Sequence, residues 1–295
     1  MSECTLPPPL VTSGVDLADW IETVVVVEGR EKISRAKLRG RLRGASLTDG
    51  EDVEVAADLA LQEVRRRGDM TGDAYPFDVT GSVVQLASNA DTCKYEFLLL
   101  LSTSSEFRKL KDYGDADRLF DLLALAGLKA YLGPAAKGVR FAYPSSDGRP
   151  PGFVDALAWL RDLLQLGEGR GFKQPTKKDA GVDVVVWRPF RDGRAGFLTI
   201  LAQCTVMLDW HHKAKDIVID LWRGYVDFGK DPLTSLVIPF VVPPGFERWD
   251  ELRRTVWLVV DRLRLCALLE GIQPACQDEV LEWVEQEKQR LRSAA

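Results

Sequence analysis

Apolar residues recur at helical spacing from Asp16 onward, where Leu17, Trp20, Ile21 and Val24 predict a first helix. Ser34 is placed to cap a short second helix ending near Gly44. A third is expected over 53–67, with Val55, Leu59, Leu61 and Val64 turned inward. The alternation through Tyr75-Pro76-Phe77-Asp78-Val79, a Thr80-Gly81 turn and Val83-Val84-Gln85-Leu86 predicts a β-hairpin. Residues 95–101 form a buried apolar segment of helical character. A strongly apolar helix over 117–132 is closed by Gly133-Pro134, and a short strand over 139–143 precedes an amphipathic helix over 153–166.

Near residue 182 the period changes. Two β-type runs, 182–190 and 197–206, are joined by Arg191-Asp192-Gly193-Arg194, and Asp-Gly between such runs is a strong hairpin signal. A helix over 210–225 and a buried strand over 235–241 follow. Pro243-Pro244-Gly245 breaks the chain before a helix near Trp249, a strand over 256–260 and a last Glu/Arg-rich helix from Asp278.

At 295 residues the chain exceeds the usual size of one domain. Residues 1–14, with Pro7-Pro8-Pro9 and Thr12-Ser13-Gly14, are expected to be a flexible lead-in. Residues 15–105 carry helices followed by a hairpin, the order of a winged-helix-like α+β domain. Residues 106–295 are expected to form a larger α/β domain with a mixed central sheet flanked by helices.

Composition narrows the function classes. A hydrophobic share of 46% with 28% charged residues is ordinary for a globular protein, and a net charge of -5 offers no global basic field. Five scattered cysteines without a CxxC pair support neither a disulfide framework nor a zinc site, which fits a reducing compartment such as the cytoplasm. The two histidines, His211 and His212, are adjacent and read as residues of a solvated helix start, so a metal would be held mainly by oxygen. Apolar runs such as 97–101 and 236–242 are too short to span a bilayer, and no membrane association is expected. No P-loop, GxSxG or HExxH is present, and Gly167-Glu168-Gly169-Arg170-Gly171 follows a helix instead of a strand.

Two constellations remain. Asp183 opens one β-type run and Gln203 interrupts the other, so the hairpin brings both to one edge of the sheet. A carboxylate at the start of a buried strand costs free energy unless it meets a cation or donors. The bland readings are that Asp183 caps a turn or pairs with Lys178, and that Gln203 satisfies backbone groups at a sheet edge. The second constellation is basic: Arg30, Lys32, Arg35, Lys37, Arg39, Arg41 and Arg43 fall within fourteen residues. With Lys177 and Lys178 they form a candidate phosphate-gripping set, against the reading of a solvated helix face. Arg65-Arg66-Arg67 either extends it or ends a helix favourably.

The helix Arg118-Leu119-Phe120-Asp121-Leu122-Leu123, the Gly181-Val182-Asp183 strand and the Gln203 strand followed by a helix resemble the PD-(D/E)XK superfamily, in particular restriction-endonuclease-like proteins of bacterial defence loci. The resemblance covers roughly residues 117–268. It implies a nuclease fold dependent on Mg²⁺ or Mn²⁺, with Asp183, Gln203 and Asp121 as metal ligands. The family's helix residue is often Glu, where this chain has Asp121. The family's lysine two positions after Gln203 is replaced by Thr205, and Lys213 is the nearest substitute. The expected function is a metal-dependent DNA endonuclease. The rivals are an inactive DNA-binding or scaffolding protein of the same fold and a regulatory subunit that meets a protein partner through its tryptophans.

Overall fold

The computed structural model describes residue 9 and residues 13–29, 32–45, 50–87, 92–103, 115–171 and 178–293. The chain divides into two compact units. One gathers residues up to 116, 239–243 and 262–295; the other holds 117–238 and 244–261.

In the first unit, α1 (Gly14–Glu28) begins where the Ser13 hydroxyl accepts from Asp16 N, and it ends at Gly29, whose left-handed backbone suits a residue without Cβ. β1 (Ile33–Ser34) leads into α2 (Arg35–Ala45), and α3 (Gly50–Thr71) precedes β2 (Phe77–Thr80) and β3 (Val83–Leu86). The expected hairpin forms, and β1 adds to its far side in an antiparallel sheet of order β1-β3-β2. The inward face of α3 differs from the expected one: Val53, Ala56, Ala57, Ala60, Leu61 and Val64 are buried, whereas Val55 and Leu59 are exposed. The true apolar stripe steps by three and four and is built largely from alanines. α4 (Cys93–Thr103) is buried on all sides.

The C-terminal helices α9 (Arg262–Leu268) and α10 (Gln277–Ser293) belong to this first unit, not to the domain expected over 106–295. Lys94 Nζ donates to the carbonyls of Leu269 and Ile272, Lys288 pairs with Glu96 at 2.6 Å, and the rings of Phe97 and Trp283 lie 4.8 Å apart. Arg262, on α9, is fully buried; its Nη1 and Nη2 grip the two oxygens of Asp19 on α1 at 2.8 and 3.1 Å. Arg67 on α3 is also fully buried and reaches Asp19 at 2.6 Å and Glu22 at 2.9 Å.

The second unit is a mixed five-stranded sheet of order β4-β5-β6-β7-β8: β4 (Lys137–Arg140), β5 (Val184–Trp187), β6 (Thr199–Cys204), β7 (Leu233–Val237) and β8 (Leu258–Val260). β4, β5 and β6 run antiparallel; β6, β7 and β8 are parallel. Among its described residues the α-helices are α5 (Ala116–Leu132), α6 (Phe153–Leu164), α7 (Ile219–Tyr225) and α8 (Trp249–Thr255). One core cluster packs Phe141, Phe153, Leu160, Val185, Leu201, Trp222 and Tyr225 together. The long helix expected over 210–225 is interrupted. A 3-10 segment, Trp210–Lys215, stops at Asp216, and the β-branched run Ile217-Val218-Ile219 delays the α-helix to 219.

Candidate functional site

All the residues of the candidate site lie in the second unit. Asp183 is positioned from both sides before β5 begins. Its N–H donates to Ala202 O at 2.8 Å, and its carbonyl accepts from Phe141 N at 2.6 Å and Ala142 N at 3.0 Å. The turn that delivers it requires Gly181, whose φ is +77° and whose Cα faces the Asp216 carbonyl so closely that an added Cβ would lie 2.5 Å from that oxygen. Asp179 Oδ1 holds the same turn by accepting from Gly181 N at 3.0 Å.

The Asp183 side chain meets the end of β6. Its Oδ2 accepts from Cys204 N and from Gln203 Nε2, each at 2.7 Å. The two residues expected to converge are therefore in direct contact. The Gln203 amide nitrogen also donates to Cys204 O at 3.1 Å, and its Oε1 is buried without a hydrogen-bond partner. As held here, the Gln203 amide nitrogen positions Asp183, and its oxygen is left without a partner beside the carboxylates.

Asp121 comes to the same place from α5. One ligand atom each from Asp121, Asp183 and Cys204 lie within 4.8 Å of one another. Asp121 is buried, and its Oδ2 accepts from Arg140 Nε at 2.9 Å. Arg140 stands on β4, where its Nη1 also donates to Pro144 O at 3.0 Å and Ser146 Oγ at 2.8 Å. The cation brought to the carboxylates is thus Arg140. Lys213, the substitute expected from sequence, is instead paired with Asp216 at 2.9 Å, in keeping with the break that ends its segment. Thr205 is buried, with its N–H on Val237 O at 3.0 Å.

Crowding of acids sets the electrostatics. Burial pushes the Asp121 carboxyl up to about 7, although Arg140 pulls the other way. Burial, and then the Asp121 charge, raise Asp183 well above the usual carboxylate range against the hydrogen bond from Cys204 N. The Cys204 thiol is raised by burial and by both aspartates. Three groups that repel one another in their ionised forms share one guanidinium. That donor set suits a divalent cation, which would replace protons as the source of positive charge; Asp121 and Asp183 would hold it.

The basic set fares differently. Arg35 pairs with Asp58 at 2.7 Å and with Glu54 at 3.1 Å, Arg39 with Glu54, Arg41 with Glu28 at 2.6 Å and Lys37 with Glu28 at 3.9 Å. Four of the expected phosphate contacts are therefore already neutralised within the unit, while Lys32 and Arg43 are exposed. Arg67 is sealed in the core, so it extends no patch. Lys178 is exposed, with Nζ 5.3 Å from the Tyr143 ring centre. Arg30 and Lys177 lie outside the described residues, as does most of the expected lead-in over 1–14.

Sequence reasoning missed Arg140, and it read Cys204, beside Gln203, only as a small buried hydrophobe. A lone arginine within the apolar 139–143 run was the available signal, since a charged residue on a short strand is either at a solvent face or bound to a buried acid. No helix among the described residues is long and apolar enough to cross a membrane. Comparison with protein-family models, curated proteins and solved structures returned no match.

Proposed function

We propose that the second unit is a restriction-endonuclease-like core that cuts DNA with the help of Mg²⁺ or Mn²⁺. The observation that carries this reading is the convergence of Asp121 from a helix and Asp183 from the head of β5, beside Gln203 on the antiparallel neighbour β6. A helix, antiparallel strands and a further parallel strand beyond a helix follow in the order that the PD-(D/E)XK resemblance implies. A bound divalent ion supplies polarisation of the phosphoryl oxygen and acidification of water. Asp121 and Asp183 hold the ion, Gln203 and the Cys204 N–H keep Asp183 in place, and Arg140 supplies the positive charge that the family's lysine gives elsewhere. In the first unit, α2, α3 and the three-stranded sheet follow winged-helix order, and Lys32 and Arg43 are the exposed cations available for duplex backbone. A role in defence against foreign DNA, within the cytoplasm and alongside a protein partner, is the setting this reading favours.

A second reading keeps the fold and the DNA contact without cleavage. It is favoured by buried Thr205 in the lysine position and by Arg140 being tied to Asp121. Supercoiled plasmid incubated with Mg²⁺, Mn²⁺ or chelator separates the two. Metal-dependent nicking that Asp183→Ala abolishes, with an unchanged fold, supports the nuclease. Nicking that survives chelator or Asp183→Ala refutes the assignment, and no nicking under any metal hands the domain to the second reading.

A further inference from the structure

Arg149 is a buried cation without a buried anion. It is 4% exposed, in the loop between β4 and α6, and its Nε has no hydrogen-bond partner. Nη1 donates to Pro150 O at 3.0 Å and Nη2 to Lys178 O at 2.7 Å, so both bonds go to neutral carbonyls. Among the described residues no carboxylate lies within ion-pair distance of it. Asp179 acts on it only through space, and a buried guanidinium with neutral partners and an unbonded Nε keeps donor capacity that an incoming anion can take up.

Its position says which anion. The guanidinium carbon lies 4.7 Å from the centre of the Phe141 ring, and Phe141 N donates to the Asp183 carbonyl. Arg140, on the adjoining residue of β4, binds the same loop through Pro144 and Ser146 and reaches Asp121. The charged and titratable groups acting on Arg149 are Asp179, Arg140 and Tyr143; burial and Arg140 lower its pKa and Asp179 opposes them. Lys178, whose carbonyl Arg149 holds, adds an exposed ammonium at the rim. Arg140 thus bonds Asp121 and the loop that carries Arg149, and Arg149 lies against Phe141, whose backbone holds Asp183.

We propose that Arg149, with Lys178 at the rim, seats a phosphate group next to the Asp121–Asp183 pair. Planar N–H donors left over on a guanidinium match the oxygens of a phosphate, and the neighbouring carboxylates then face the bonds of that same group. The identification of the anion as a phosphodiester rests on the nuclease reading, whereas the seat itself does not.

The test uses the full chain in chelator, so that no metal contributes. Thermal unfolding is followed in inorganic phosphate and in chloride at matched ionic strength and pH, and a short duplex oligonucleotide is titrated separately. Phosphate is expected to raise the melting temperature by about 2–4 °C at saturation beyond the chloride control. Arg149→Gln is expected to lose that rise and to weaken duplex binding about tenfold. Arg149→Lys, which keeps the charge but not the planar fork, falls between the two and serves if Arg149→Gln does not fold. A rise with inorganic phosphate that the duplex does not compete away supports the seat and makes free phosphate its source. No rise beyond chloride, together with parental duplex affinity in Arg149→Lys, overturns it. Protection without nicking under any metal keeps the seat and removes the nuclease; nicking without protection does the reverse.

Discussion

Replacing Arg262 by methionine tests how the first unit is held together. Its guanidinium donates to both Asp19 oxygens, to Ser102 Oγ at 2.6 Å and, through Nε, to Pro239 O at 2.9 Å, all from a fully buried position. Without it, Asp19 and Glu22 share Arg67 alone, although Glu22 keeps the hydroxyls of Tyr75 at 2.6 Å and Tyr95 at 2.8 Å. Breaking one side of a buried ion pair costs about 3–5 kcal/mol. At about 2–4 °C per kcal/mol for a unit of this size, the melting temperature should fall by roughly 6–20 °C. Burial pushes the Asp19 carboxyl up, but Arg262 and Arg67 outweigh it and hold it below the usual range. A lowered acid stabilises above its unfolded pKa and loses that contribution as pH falls through the folded value, so the variant's deficit should shrink in acid. The double variant Arg262→Met with Asp19→Leu should cost less than the sum of the singles, because no unpaired charge is left behind. Urea melts of the four proteins decide. A single variant within 1 kcal/mol of the parent, or a strictly additive double, would refute the network and with it the claim that α9 completes the first unit.

The second unit offers two further tests. Asp121 is raised from 3.8 to about 7, so its contribution is complete below its unfolded pKa and is lost as pH climbs toward 7; urea midpoints near pH 5 and near pH 7.5 should show this unit less stable at the higher pH, and a flat profile would count against the buried acid pair. Gly181→Ala forces a Cβ to 2.5 Å from the Asp216 carbonyl at a positive φ, so it should cost about 1–3 kcal/mol and displace Asp183, reading out as lower stability and lost nicking together.

Much of the sheet was legible because its signals are local. The two valine- and leucine-rich runs pair antiparallel as expected, although Asp192-Gly193 lies within a longer connection over 188–198 and does not close a tight hairpin; pairing Val184 with Ala202 carries Asp183 to Gln203. The residues that give the site its charge balance were not local. Arg140 meets Asp121 from a strand nineteen positions away, and nothing in a four-residue strand says whether its arginine faces solvent or a buried acid. Lys213 was misplaced for a related reason: a continuous helix over 210–225 would have turned it differently from the 3-10 segment that pairs it with Asp216. The return of α9 and α10 to the first unit depends on Asp19 and Arg262, partners 243 positions apart, which periodicity cannot link. Val55 and Leu59 were chosen as core by size, while the alanines that allow close packing carried the true stripe.

The same long-range contacts bear on whether the site is an enzyme's. A lysine two positions after Gln203 would approach the carboxylates from β6, the strand that also supplies the Cys204 N–H. Here that position is a buried threonine whose backbone is bound to β7, and the positive charge enters from β4 on the opposite side of β5. The positive charge beside the carboxylates thus comes from β4, where Arg140 binds Asp121, and not from the position two after Gln203. One guanidinium against two aspartates and a thiol leaves a demand that only protons or a further cation can meet. Near neutral pH the proton on Asp121 is the more weakly held, since its carboxyl titrates at about 7. A divalent ion bound there would displace that proton, so metal binding should tighten as pH rises.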